Sequence, residues 1–311
     1  MSDLRGRIQG GIFGLVVGDA LGVPLEFLSR DQARRKHITC MTGPGTHHQP
    51  PGTWSDDSSM ALCTLASLLE EGYDPVDMMK RFSNWRYQAY MSANGSVFDI
   101  GVTTRAAIHR YKEGQPQSCW GGPGERENGN GSLMRILPLS LFLWKSDTTT
   151  IIERSFEVSA LTHAHARSQL CCAYFSLLIR DLLRGEPLEV SMRSATRHLE
   201  DSIPEAERKP LERILSGSVL ALDEDDISGD GYVIHTLEAS LWCCARHSSY
   251  REAVLAAVHL GDDTDTTAAV TGAIAGVLHG LNAIPAEWRR EIARSGEVHA
   301  LAEKFAATVM K

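Results

Sequence analysis

The chain has 311 residues, 43% of them apolar and 23% charged, which excludes a disordered polymer and suits one large globular domain or two ordinary ones. Its formal net charge is −8 with no Lys/Arg cluster dense enough to track a phosphate backbone, so stable binding to duplex nucleic acid is not expected, while a small anionic ligand is not excluded. Seven cysteines, two adjacent pairs among them and no C-x-x-C, suggest neither a disulfide framework nor a zinc site, and fit reduced thiols in a cytoplasmic protein.

Arg5 and Arg7 precede the apolar run "GGIFGLVVG", which is too short, too Gly-rich and too soon stopped by Asp19 for a signal peptide or a membrane insertion. Glu26 follows in "GVPLEF", where the Pro-bounded apolar surroundings sit awkwardly with a purely solvated role. In "SDDSSMALCTLASLLEEG" the apolar residues Met60, Leu62, Leu65, Leu68 and Leu69 recur at helical spacing and Gly72 stops the pattern. Asp74-Pro75 starts the next helix, with Pro where its missing N–H costs nothing. "FDIGVTT" places Asp99 before a glycine, as a cap signal or an acid. "GNGSLMR" (Gly129 to Arg135) allows close backbone approach, and "SLMRILPLSLFLW" is expected to open a helix whose free N–H groups suit phosphate, although a plain loop-to-helix turn reads the same way.

Thr150 to Glu153 and Ser249 to Glu252 match the capping box. The histidines of "THAHAR", His163 and His165, suit structural as well as catalytic roles. Ala166 to Leu183 is expected as a long helix closed by Gly185, and Val233 to Arg246 as another; the "GDGY" before the latter offers Tyr232 as an aromatic face for a base. Gly261 ends the helix of "YREAVLAAVHL", and the next is expected from Thr266. Strand patterns are scarce, and three irregular stretches, "CMTGPGTHHQPPGTW", "GQPQSCWGGPGERENGNGS" and "LDEDDISGDGY", interrupt the helices. The expectation is one all-α domain, a single compact multi-helix body over residues 1–311, with its loops gathered around a site.

Two acidic clusters stand at helix starts: Ser55-Asp56-Asp57, and Asp262-Asp263-Thr264-Asp265-Thr266. One aspartate satisfies a cap, and like charges this close repel, so over-capping explains neither cluster well. Carboxylates with a hydroxyl are what Mg²⁺ or Mn²⁺ takes as ligands, and two facing helix starts could cradle a pair of them. The D-x-D-x-T of an aspartyl-phosphate phosphatase also matches from Asp263, but that motif belongs after an apolar strand; an EF-hand needs glycine where Ala268 stands.

In chain order, "GIFGLVVGDALGVPLEF", "GTWSDDSSMAL", "FDIGVTTRAAI", "GNGSLMRILPL", "THAHARSQ", "GDGYVIHTLEASLW" and "LGDDTDTTAAVTGAIAG" resemble the ADP-ribosylglycohydrolase family, in particular its branch of dinitrogen-reductase-activating glycohydrolases. The resemblance implies an orthogonal bundle of helices with a binuclear Mg²⁺ or Mn²⁺ site at helix N-termini. It also implies hydrolysis of the bond from ADP-ribose to an acceptor, arginine on a protein in the first place. Ser55, Asp56, Asp57, Asp263, Asp265 and Thr266 are then the metal ligands, with Asp262 outside the shell. Glu26, Asp57 and Asp99 are the catalytic carboxylates, Asp99 pairing with the leaving guanidinium. Gly129, Asn130, Gly131, Ser132, Met134, Arg135 and His163 hold the ribose and diphosphate, and Gly231 and Tyr232 lie toward the nucleoside. The chain is expected to act as a monomer on ADP-ribosylated protein. Rival readings are a hydrolase of serine-linked or O-acetyl-ADP-ribose, a non-catalytic ADP-ribose-binding member, and a metal phosphatase acting on a nucleotide diphosphate.

Overall fold

A computed structural model describes residues 2–311, with side chains from Leu4 onward. The first half carries helices α1 (Ser2–Gly22), α2 (Arg30–Lys36), α3 (Asp56–Glu70), α4 (Pro75–Gln88), α5 (Val102–Lys112), α6 (Leu137–Phe142), α7 (Thr148–Ala160) and α8 (Ala166–Leu183). The second carries α9 (Leu188–Leu199), α10 (Glu205–Arg208), α11 (Glu212–Ser216), α12 (Val233–Arg246), α13 (Tyr250–His259), α14 (Thr264–His279), α15 (Ala286–Glu291) and α16 (Ser295–Val309). Among the described residues there is no strand, only two isolated β-bridges. The chain is all-α, and its buried apolar residues form one contiguous core.

Helices start where a side chain can take the free amides of the first turn. The Asp74 carboxylate accepts from Val76 N–H at 2.9 Å ahead of Pro75, and Ser249 Oγ accepts from Glu252 N–H at 3.2 Å, as expected. Three starts differ from expectation. Asp147, not Thr150, caps α7, its carboxylate accepting from Thr150 N–H at 2.9 Å; an ionised acceptor three residues upstream outcompetes the threonine hydroxyl. The helix expected from Ser132 begins only at Leu137, with Pro138 in its first turn, because a proline has no N–H to continue an earlier helix through. Asn130–Ser132 forms a 3₁₀ turn instead. Finally, α14 begins at Thr264, two residues early, so Asp263 is its cap residue and Asp265 and Thr266 stand in its first turn.

The centre of the molecule is the antiparallel pair α1 and α14. Gly10, Gly14, Gly18 and Gly22 recur every four residues on one face of α1, opposite Gly276, Gly272, Ala268 and Asp265 of α14. A Cβ placed on Gly14 would lie 2.1 Å from Gly272 O, and one on Gly18 only 2.0 Å from Ala268 O. The two backbones therefore touch, an approach that on the α1 side is open only to residues without side chains. The same composition makes Leu4–Leu25 long and apolar enough to cross a membrane, but 94% of that window is buried inside the protein: it is the core helix. At the far end Thr264 Oγ1 donates to Gly22 O at 2.8 Å, which ties the last turn of α1 to the first turn of α14. That junction is where the acidic residues meet.

Candidate metal centre

Asp19, in the last turns of α1, is fully buried and reaches the start of α3. Its carboxylate accepts from Ser55 N–H at 2.9 and 3.1 Å, from Ser58 N–H at 2.9 Å and from the Ser58 hydroxyl. An α1 carboxylate thus caps α3 from outside and fixes where Asp56 and Asp57 point. Across the cradle, Thr266 Oγ1 donates to Asp57 Oδ1 at 3.3 Å, joining two helix starts 209 residues apart. Asp19, Asp57 and Asp265 offer carboxylate oxygens within 4.8 Å of one another, and so do Glu26, Asp263 and Asp265.

Glu26 is brought in by a loop held at several points. Phe27 N–H donates to Asp262 O and Asp262 N–H to Leu28 O, both at 2.7 Å, so the loop of Glu26 lies against that of Asp263. Thr46 Oγ1 donates to Glu26 O at 2.6 Å, and His47 Nε2 bonds Glu26 Oε2. The His47 ring packs against Phe98, with centroids 5.1 Å apart, and Asp99 lies beside it with φ at +51°. Glu26, His47 and Asp99 form a third group of mutually close ligating atoms.

Burial dominates the electrostatics. It pushes the Asp19 carboxyl up to about 6 even though Ser58 and Ser55 hydrogen-bond its ionised form. It pushes Glu26 up to about 8, with the His47 hydrogen bond opposing and Asp99 and Asp263 adding to the rise. Asp56, Asp57 and Asp265 are driven well above the carboxylate range by burial first, and then by a neighbouring negative charge, that of Asp99 on Asp56, Asp19 on Asp57 and Glu26 on Asp265. Asp263 is also raised by burial, partly offset by Asn130. Among the described residues no lysine or arginine lines the cleft, which encloses about 360 Å³. Asp57 Oδ2 and Asp265 Oδ2 are buried without a hydrogen-bond partner. Orphaned carboxylate oxygens and crowded like charges, faced by a single imidazole at Glu26, are the environment that hard divalent ions complete, so the donor set fits such ions.

The same cleft collects the loop residues. Glu26, Asp56, Asp57, Asp99, Asp263 and Thr266 line it together with Gly129, Asn130, Gly131, Met134, His163 and Gly231. The two isolated bridges pin these loops: Asn130 N–H donates to Gly231 O at 3.0 Å, and Gly122 N–H to Thr162 O at 2.9 Å beside His163. Asn130 Nδ2 donates to Asp263 Oδ2 at 2.7 Å and so orients that carboxylate.

Several expected site residues stand elsewhere. Ser132 is fully buried and bonded to the Ser159 hydroxyl at 2.9 Å, and Arg135 is fully buried with its guanidinium 4.6 Å over the Phe82 ring. Both point into the core: Ser132 because a 3₁₀ turn swings successive side chains by a third of a revolution, and Arg135 because it lies beyond that turn, ahead of α6, and packs on Phe82. Neither touches the cleft. Ser55 lies behind Asp57, accepting its N–H at 3.3 Å. Asp265 lies beneath the cleft floor. Tyr232 sits just outside the lining, edge-on to His235 with centroids 4.9 Å apart. His165 caps α8, accepting from Arg167 N–H at 3.2 Å, while Gly101, not Asp99, precedes α5. Asp262 is exposed with φ at +60°.

Asp19 and His47 went unassigned in the sequence. Asp19 presents itself as a charge interrupting an apolar helix, the one signal that could have marked it. His47, in a Gly/Pro-rich loop, gives none.

The sequence profile of the ADP-ribosylglycohydrolase family matches residues 1–311. ADP-ribosylarginine hydrolase Tri1 of Serratia proteamaculans is 34% identical over 309 residues, covering 98% of this chain and 80% of that protein. The ADP-ribosyl-[dinitrogen reductase] glycohydrolase of Rhodospirillum rubrum is 26% identical over 286 residues, covering 91% and 88%. A solved structure of an ADP-ribosylglycohydrolase-related protein complex superposes with a TM-score of 0.84 at 33% identity, covering 100% of both chains.

Proposed function

Because the chain belongs to the ADP-ribosylglycohydrolase family, we propose that it removes ADP-ribose from arginine side chains of modified proteins, with residues 1–311 acting as one catalytic domain. The observation that carries this reading is the cradle itself: buried carboxylates from α1, α3 and α14 with two orphaned oxygens, opening on a cleft of about 360 Å³. A module that only bound ADP-ribose would gain nothing from so costly a cluster.

Asp56, Asp57, Asp263, Asp265 and Thr266, with Ser55 behind them, would hold two divalent cations, Mg²⁺ or Mn²⁺. When bound, these supply positive charge for the ribose hydroxyls and acidify a water. The chain's own groups do the rest. The loop Gly129 to Gly131 and Gly231 receive the ribose and diphosphate, and Asn130 keeps Asp263 aligned. Water adds to the ribose anomeric carbon as the bond from that carbon to the guanidine nitrogen breaks. Glu26, positioned by His47 and ionised beside bound cations, takes the water's proton. The leaving nitrogen takes up the proton that Glu26 removed from the water, which returns Glu26 to its carboxylate form, and departs as guanidinium, which Asp99 in the cleft lining pairs with by charge.

The test is product analysis on an ADP-ribosylated arginine peptide, with and without EDTA, beside serine-linked and O-acetyl-ADP-ribose. Release of intact ADP-ribose from the arginine substrate, abolished by EDTA and in Asp57→Ala, is expected. Full metal-dependent turnover by Asp57→Ala would sink the mechanism, and preference for the serine-linked substrate would move the acceptor assignment.

A further inference from the structure

Arg135 has no carboxylate partner among the described residues, although no part of it reaches solvent. Its Nη2 donates to Val158 O at 3.2 Å and to Thr162 Oγ1 at 2.8 Å, while Nε and Nη1 have no partner. Thr162 Oγ1 also lies 2.8 Å from His163 Nδ1. A guanidinium can only donate, so the Thr162 oxygen accepts from Arg135. The hydroxyl's single hydrogen is then left for its other neighbour, His163 Nδ1. Were Nδ1 protonated instead, the oxygen would face two donors and its own buried hydrogen would lack an acceptor, the costlier arrangement.

We propose that Arg135 and Thr162 are positioning residues that fix His163 as its Nε2–H tautomer, so that a neutral N–H donor faces an oxygen of the bound ADP-ribose. This rests on the glycohydrolase reading for the ligand, but not for the relay. The ring is well placed for the role. His163 N–H donates to Ser159 O at 2.8 Å and its carbonyl accepts from the Ser159 hydroxyl at 3.0 Å, so its backbone is held at both groups. Its outer edge lines the cleft against Gly131, where a Cβ would fall 2.8 Å from His163 Cε1 and 3.4 Å from Nε2. Among the described residues Nε2 bonds no protein group, which leaves it for a ligand. Burial and then the Arg135 charge push the imidazole down to about 3, so it stays neutral. A neutral donor suits a cleft already crowded with carboxylates: it orients an oxygen without trapping the ligand as a salt bridge would.

The experiment is ¹⁵N NMR of histidine-labelled, Mg²⁺-loaded full-length chain, with the His163 signals assigned through His163→Gln, alongside ADP-ribose titration calorimetry. Wild type and Thr162→Ser should both show the Nε2–H pattern at His163. Thr162→Val should show a mixture of tautomers and bind ADP-ribose roughly five- to tenfold more weakly, with Thr162→Ser within about twofold of wild type. An Nδ1–H or mixed pattern in the wild type would overturn the relay, as would unchanged ADP-ribose affinity in a folded Thr162→Val. If Thr162→Val does not fold, the wild-type spectrum still decides. A wild-type chain that binds no ADP-ribose would refute the glycohydrolase reading and the ligand side of this inference, while the nitrogen spectrum judges the relay by itself.

Discussion

Without a divalent cation the protein should lose stability as pH rises, the reverse of ordinary acid denaturation. The Asp19 carboxyl stands at about 6 against an ordinary value of 3.8, and Glu26 at about 8 against 4.5. A group raised by folding binds more protons in the native chain than in the unfolded one. Its stabilising contribution is complete below the unfolded value and is lost as pH climbs through the folded value. At about 1.4 kcal/mol per unit, Asp19 alone gives up on the order of 3 kcal/mol across roughly pH 4 to 6, and Glu26 on the order of 5 kcal/mol toward pH 8. Asp56, Asp57 and Asp265 are shifted in the same direction and act with the same sign. At roughly 2 °C per kcal/mol for a chain of this size, the melting temperature in EDTA should fall by about 5–10 °C between pH 5 and 8. Cation binding favours ionised carboxylates, so Mg²⁺ or Mn²⁺ should flatten or invert the trend. Calorimetry of the same preparation in EDTA and in either cation measures both curves. In EDTA, Asp265→Asn should show a shallower fall in melting temperature with rising pH than wild type, because an amide has no proton to give up. A flat or rising EDTA curve, or curves that coincide with and without cation, would refute the reasoning.

Asn130→Ala removes the 2.7 Å bond that aligns Asp263 and should weaken Mn²⁺ binding roughly 10- to 100-fold by calorimetry; unchanged affinity would deny Asn130 that role. Gly18→Ala puts a Cβ 2.0 Å from Ala268 O and should destabilise the fold by about 1–3 kcal/mol or more in denaturant titration. Gly6→Ala, on the same helix and facing open space, should instead be neutral or slightly stabilising, and equal effects at the two sites would argue against backbone contact as the cause.

What was legible in the sequence is what is local. Asp74-Pro75 and Ser249 with Glu252 announce their helices because a cap and its amides lie within three residues. The two acidic clusters stand out because each sits at its own helix start. Side-chain direction in the Gly-rich loop was not legible: Asn130 and Ser132 are two positions apart, yet one reaches Asp263 and the other the core, and only the 3₁₀ turn decides which. Asp19 was obscured for a different reason. Its partners are the amides of Ser55 and Ser58, 36 and 39 residues away, and no local pattern encodes a cap supplied by another helix. Arg135 likewise has the composition of an anion binder, and its burial under Phe82 is a tertiary fact.

The glycine contact between α1 and α14 also bears on how the molecule is made. The junction of Gly22 with Thr264 spans 242 residues, so the contact order at the heart of the fold is high and its loop-closure cost must be met before that contact forms. During synthesis Asp19, Asp56 and Asp57 leave the ribosome long before Asp263, Asp265 and Thr266 exist to face them. Throughout that interval half of the cradle has no counterpart, and the face of α1 that α14 will cover is bare. A nascent chain therefore carries an unpartnered, glycine-lined apolar helix face, and covering it is the same event that assembles the acid cluster.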